Sequence, residues 1–127
     1  MLARQEYREA HGLCMKALQA DPAEPRAFYL LGILTADHSN HSKAIELFDR
    51  ALAVGTPRSD ILAQKARCQI ALLQREKAVQ SAEAAAKLEP DDAFTLDTLG
   101  VVFSRAGLHA RSLGFYQRAT DAASDVA

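Results

Sequence analysis

The apolar positions of the chain recur with helical spacing and, at longer range, with a period of 34 residues. Stepping by 34 from Ala10 gives Ala44, Ala78 and Ser112, and from Ala17 gives Ala51, Ala85 and Ala119, so each of these positions stays small. The same step carries Cys14 to Phe48, Ala82 and Tyr116, Gly32 to Ala66 and Gly100, Leu31 to Lys65 and Leu99, and Pro22 to Thr56 and Pro90. Small, bulky and turn residues in a fixed order mark a repeated supersecondary unit. Within one unit Ala44, Phe48 and Ala51 fall on a single helical face, where small side chains let a neighbouring helix approach closely. The repeating element is therefore a pair of helices.

Turn chemistry sets the boundaries. Asp21-Pro22 with Pro25, Thr56-Pro57 with Ser59, and Pro90-Asp91-Asp92 each end one helix and supply a capped or proline-led start to the next. Shorter breaks at Ser39-Asn40 and Ala106-Gly107 separate the two helices inside a unit. These signals predict one helix over 4–20, then pairs at 24–37 with 41–54, 58–72 with 75–88, and 92–106 with 109–122. That is about seven helices and no strands. The expected organisation is a single domain over 1–127, made of a partial repeat at 1–23, repeats at 24–57 and 58–91, and a C-terminal repeat at 92–127.

The pattern resembles the tetratricopeptide repeat (TPR) family. Its second-helix signature of alanine, bulky residue, alanine is matched by Ala44, Phe48 and Ala51 and by Ser112, Tyr116 and Ala119. Its first-helix signature of a large residue, Leu-Gly and another large residue is matched by Phe28, Leu31, Gly32 and Thr35 and by Leu96, Leu99, Gly100 and Phe103. The resemblance covers essentially the whole chain. It implies an all-α, right-handed superhelical solenoid of antiparallel helix pairs, in which each first helix lines a concave face and each unit touches its neighbours. It also implies a non-catalytic protein–protein interaction scaffold that holds a peptide or helix of a partner protein in that groove.

By the same resemblance, the groove-lining residues are Arg26, Tyr29, Ile33 and Asp37 from one repeat, Asp60, Arg67 and Ile70 from the next, and Phe94, Asp97, Val101, Ser104 and Arg105 from the last. Aromatic and aliphatic anchors beside planar guanidinium donors suit a peptide or a helix. The opposing reading pairs Arg26, Arg67 and Arg105 with Asp37, Asp60 and Asp97 as an ordinary solvated surface. A clamp for a terminal carboxylate, which some relatives build with asparagines on successive first helices, is not expected, because the single asparagine, Asn40, lies in a turn. Lys65 and Gln69 replace a leucine and a large residue of the pattern and form a polar seam on one helix face. Short arrays of this kind also serve as arms of larger proteins, including some sulfotransferases and glycosyltransferases. An accessory arm that recruits substrate for an enzyme is one alternative function, and a structural self-assembly unit is another.

Charge and composition narrow the partners. With 127 residues, 49% of them hydrophobic, the chain is long enough for one continuous core. A net charge of −1 gives no general attraction for nucleic acid or an anionic membrane surface. The longest apolar run, Phe28 to Leu34, is far short of the ~20 residues that span a bilayer, and a cytoplasmic location is expected. Cys14 and Cys68 lack metal or redox spacing and read as buried free thiols. His41 and His109 share a repeat slot with Tyr7 and Arg75, which makes them architecture. The turn His38-Ser39-Asn40-His41 has no carboxylate or cysteine to complete a metal site. Asp37, Ser39 and Ser42 beside it lack the strand-borne scaffold of a hydrolase. No catalytic residue, cofactor or metal is expected. Leu13, Cys14 and Leu18 near one end, and Leu113, Phe115 and Tyr116 near the other, are expected on bare terminal helices through which a homodimer could form, with Gly114 and Thr120 weakening the second of these ends.

Overall fold

The computed structural model describes residues 4–125, which form α1 (Arg4–Ala20), α2 (Pro25–Asp37), α3 (His41–Val54), α4 (Ser59–Ala71), α5 (Arg75–Lys87), α6 (Ala93–Arg105) and α7 (His109–Asp125). No strand occurs among the described residues. Three helices begin one residue later than the pattern predicts, because Glu24, Arg58 and Asp92 keep extended backbone and serve as N-caps. The Glu24 and Asp92 carboxylates accept from Arg26 N and Thr95 N, and Asn40 caps α3 by accepting from Lys43 N. The last helix runs past its expected end at residue 122 to Asp125.

The chain divides into two compact units, Met1–Pro57 and Arg58–Ala127, at a boundary expected between repeats. In the first, α2 packs against both α1 and α3. Cys14, Leu31 and Leu34 form a core cluster there, flanked by Tyr7, Ala10, Leu18 and Leu47. In the second, α4 pairs with α5 and α6 with α7, and α6 also packs on α4 and α5. Its core joins small residues of α4 and α5 (Ala63, Ala66, Ala78, Ala82) to larger ones of α6 and α7 (Leu99, Phe103, Phe115).

Each helix pair is fitted by the size of two facing residues. A Cβ on Gly32 would lie 2.4 Å from the ring of Phe48, and one on Gly100 would lie 2.8 Å from the ring of Tyr116. The aromatic of the second helix therefore rests directly on the backbone of the first. The α4–α5 pair carries Ala66 and Ala82 at these two positions, both fully buried. It adds a polar link, with Ser81 Oγ donating to Gln69 Oε1 at 2.7 Å. Half of the polar seam is thus a buried, satisfied hydrogen bond that ties the two helices together. Lys65 is half-buried and also engaged.

The first helices α2, α4 and α6 end alike. Ser39, Leu73 and Gly107, spaced by the repeat, have φ of 63°, 61° and 85°. The next residue's N–H then closes on a carbonyl of the last turn: Asn40 on Thr35, Gln74 on Gln69 and Leu108 on Phe103. Leu73 pays a steric penalty that Gly107 avoids, and it stands 90% exposed, with little packing in return.

Both cysteines are free and buried. Burial pushes the Cys68 thiol from 9.0 up to about 11, with the positive charge of Arg67 acting in the opposite sense. Burial also raises the Cys14 thiol. A neutral buried thiol is a poor nucleophile.

Two predictions follow from the core and the turns. Leu73→Gly should stabilise the protein by about 1 kcal/mol in urea unfolding, since it relieves left-handed strain without removing a buried contact; a loss of stability would show that the leucine packs. Cys68 should resist alkylation in the native protein at pH 8. Because its folded pKa is raised, the associated stability is complete below the unfolded thiol's pKa and is lost as pH rises through about 11. Urea midpoints measured from pH 8 to 11 should fall less steeply for Cys68→Ala than for the parent, and rapid native alkylation would contradict the assignment.

Candidate interaction surface

The free face of α6 is defined by what the rest of the helix buries. Thr95, Leu96, Thr98, Leu99, Gly100, Val102 and Phe103 are all inside, which leaves one narrow stripe toward solvent. That stripe consists of Phe94, Asp97, Val101, Ser104 and Arg105, spaced as one side of a helix. Phe94 is 62% exposed, Asp97 and Arg105 are exposed, and Val101 and Ser104 are half-buried. Asp92 fixes where this helix starts, and so fixes Phe94 in its first turn.

Helix α4 lies against α6 and presents Asp60 and Arg67, both half-buried, from the equivalent repeat positions. Ile70 is 7% exposed and belongs to the core of the second unit, so it offers almost no free apolar surface. In the first unit, α2 brings together Arg26, exposed, with Tyr29, Ile33 and Asp37, half-buried. The Tyr29 ring lies 6.0 Å from that of Phe48. Leu30, 44% exposed one turn after Arg26, is an apolar residue on α2 that the repeat positions did not single out; its i, i+4 relation to Arg26 was the available signal.

The charges on these faces do not neutralise one another. Among the described residues, Arg26, Arg67 and Arg105 make no ion pair. Asp60 is taken by Arg58, whose Nε donates to Oδ1 at 3.1 Å, and it also accepts from Ile61 N at 2.9 Å. The opposing reading, a mesh of these arginines with Asp37, Asp60 and Asp97, has no ion pair behind it among the described residues. An arginine in that state keeps its planar donor fork free for an incoming carboxylate or carbonyl.

In two of the four repeats, the residue in the slot that His41 and His109 share makes a structural contact. The Tyr7 and His38 rings meet with centroids 3.8 Å apart and planes tilted by 32°, and Arg75 Nε donates to the carbonyl of Ala106 at 2.7 Å. Both contacts join the start of a second helix to the end of the next repeat's first helix. His41 is half-buried, with an Nδ1 that has no hydrogen-bond partner, and His109 is exposed. Among the described residues no group of three or more His, Cys, Asp or Glu side chains could hold a metal ion. No described helix is long and apolar enough to cross a membrane.

The terminal helices are better covered than the sequence suggests. On α1, Cys14 is buried and Leu18 half-buried, leaving Leu13 outside. On α7, Phe115 is in the core and stacks on Phe103 at 5.2 Å, so the exposed apolar residue there is Leu113. Phe115 is inside because α7 turns it toward α6, while Arg111 covers the two rings and pairs with Glu83 of α5.

No protein-family model matches the chain, and no curated protein sequence matches it. Solved structures do. A double mutant of MamA RS-1 superposes with a TM-score of 0.70 at 21% identity, covering 94% of this chain and 67% of that one. YrrB, described as a TPR protein with an unusual peptide-binding site, gives 0.68 at 21% identity, covering 93% of this chain and 61% of YrrB. MamA from residue 41 onward, from Desulfovibrio magneticus RS-1, gives 0.66 at 19% identity, with coverage of 93% and 74%. Seven helices in the observed order, the glycine–aromatic fit inside the pairs and these superpositions agree: the chain has the tetratricopeptide-repeat solenoid fold.

Proposed function

We propose that the protein is a non-catalytic interaction scaffold that receives a peptide or a helix of a partner protein on the free faces of its first helices. The observation that carries this reading is the state of the arginines: Arg26 shares a face of α2 in the first unit with the half-buried Tyr29, Arg67 and Arg105 lie on α4 and α6 of the second with the exposed Phe94 and half-buried Val101, and among the described residues none of the three pairs with a carboxylate. Apolar anchors beside unpaired guanidinium groups are the composition of energetically important interface residues. The likeness to YrrB, a TPR protein with a peptide-binding site, supports the same class of activity.

The chemistry favours a ligand with an apolar side chain next to an acidic group or free carbonyls. Phe94 and Val101 are about two turns apart along α6 and can seat an apolar side chain, while Arg105 on the same stripe and Arg67 on the adjacent α4 can each take a carboxylate. The buried, neutral thiols and the lack of a metal-holding group among the described residues give no support to a catalytic reading.

Peptides selected from a random display library against the intact chain provide the test. Phe94→Ala, Arg67→Ala and Arg105→Ala should each weaken the selected peptide at least fivefold in isothermal titration, with helical content unchanged. Glu46→Ala and Glu76→Ala, exposed on second helices, should change it less than twofold. Equal losses from both sets would move the binding surface away from the first helices.

A further inference from the structure

Three side chains of α6 reach the surface because of how first helices pack. Phe94 and Arg105 are exposed and Val101 is half-buried. One repeat earlier, on α4, the same positions are Asp60, Arg67 and Ala71, and none of them is buried even though α6 packs on α4 as the next first helix. The α4 equivalents of Asp97 and Ser104 behave differently: Ala63 and Ile70 lie in the core that α6 completes. The line Phe94, Val101 and Arg105 therefore owes its exposure to the packing of first helices and not to the place of α6 in the chain.

The spacing of that line selects the shape of what can lie on it. With a rise of about 1.5 Å per residue, Val101 stands about 10.5 Å and Arg105 about 16.5 Å along α6 from Phe94. An extended peptide presents same-side residues about every 6.6 Å, so its side chains would fall about 3 Å from both positions. A second helix beside α6 has the same rise and meets all three with residues at i, i+7 and i+11.

The arginines set its direction. Arg105 is on the last turn of α6, and Arg67 of the adjacent α4 is level with Val101 by the repeat; neither makes an ion pair among the described residues. The C-terminal end of a helix offers such groups unpaired carbonyls and the negative pole of its dipole. This chain already uses arginine in that way: Arg75 Nε donates at 2.7 Å to the carbonyl of Ala106, the C-cap of α6, and Arg118 Nη2 donates at 3.3 Å to that of Pro90, in the turn after α5.

We propose that the first-helix face of the second unit receives an amphipathic α-helix of a partner protein, lying parallel to α6, with apolar residues at i and i+7 over Phe94 and Val101 and its last carbonyls on Arg105 and Arg67. The proposal rests on the first-helix face being the binding surface and narrows what that surface takes. The first helices of a second copy are poor occupants, since their final carbonyls are already closed by the N–H groups of Asn40, Gln74 and Leu108.

The probe is a sixteen-residue, amidated alanine–glutamine peptide with leucine at its fifth and twelfth residues and fluorescein at its N-terminus. It should bind the full chain saturably by fluorescence anisotropy and gain helical circular dichroism as it does so. Phe94→Ala should weaken it at least fivefold and Arg105→Ala at least threefold, with melting temperature unchanged because both side chains are exposed. A nitroxide on the C-terminus of the probe should broaden the amide signals of residues 101–106 most strongly, and one on its N-terminus those of residues 93–95. Absence of saturable binding up to millimolar probe would overturn the proposal, as would the reverse labelling pattern or equal binding of a control with leucine at the fifth and tenth residues. If display-selected peptides bind through Phe94 and Arg105 without gaining helix, the first-helix face remains the binding surface and the helical occupant is overturned; if none depends on Phe94, both readings fail. A dimer abolished by Phe94→Ala in sedimentation equilibrium would make the occupant a second copy and would also overturn it.

Discussion

The close approach of the two helices within a pair is the constraint on which the rest of this structure depends. Phe48 lies on the backbone of Gly32 and Tyr116 on that of Gly100, so the aromatic ring fills the space that a side chain on the first helix would take. Interiors packed to crystal-like density tolerate no spare atom at such a point. Once the rings are seated, the faces of α2 and α6 are divided. One side is committed to the second helix, another to the neighbouring helices, and a narrow strip is left for solvent. The exposed line from Phe94 to Arg105 on α6 is what remains after those commitments. The candidate binding surface is thus a consequence of how the core is fitted.

The α4–α5 pair reaches a similar end by another route. With alanine at both facing positions, neither side carries the ring or needs the glycine, and the pair is joined by small side chains together with the Ser81–Gln69 hydrogen bond. A buried polar link of this kind specifies register more sharply than an alanine contact, because leaving either partner unsatisfied costs about 1–3 kcal/mol. Arg75, Glu83 and Arg111 add polar ties from α5 to α6 and α7. The second unit therefore holds its helices with more directional contacts than large apolar ones on the α5 side.

Much of this was legible from the sequence. The period, the order of the seven helices and most boundaries to within a residue or two follow from small residues at fixed spacing and from proline, aspartate and glycine at the turns. The slips of one residue at Glu24, Arg58 and Asp92 arise because a capping residue looks like the start of a helix when only its type is known. Contacts between repeats were harder to see. Ile70 and Phe115 were expected near free surfaces and are core residues, since their burial depends on how adjacent helices are rotated. The shared role of Tyr7 and Arg75 was hidden by their chemistry: one makes a tilted ring contact and the other donates to a carbonyl, and only their common register reveals that they do the same work. Whether the surface arginines pair with nearby aspartates was likewise open from composition, and among the described residues Arg26, Arg67 and Arg105 make no ion pair.

The most direct test of the account is a double-mutant cycle on Gly32 and Phe48, read by urea unfolding of the full chain. In the parent, Gly32→Ala should destabilise by about 1–3 kcal/mol, because its new methyl group meets the Phe48 ring. In a Phe48→Ala background, where the facing pair becomes alanine on alanine as in α4–α5, the same change should be neutral or stabilise by up to about 1 kcal/mol through helix propensity. A coupling of that sign and size would establish that the ring on the glycine sets the spacing of the pair. Equal effects of Gly32→Ala in both backgrounds would contradict it.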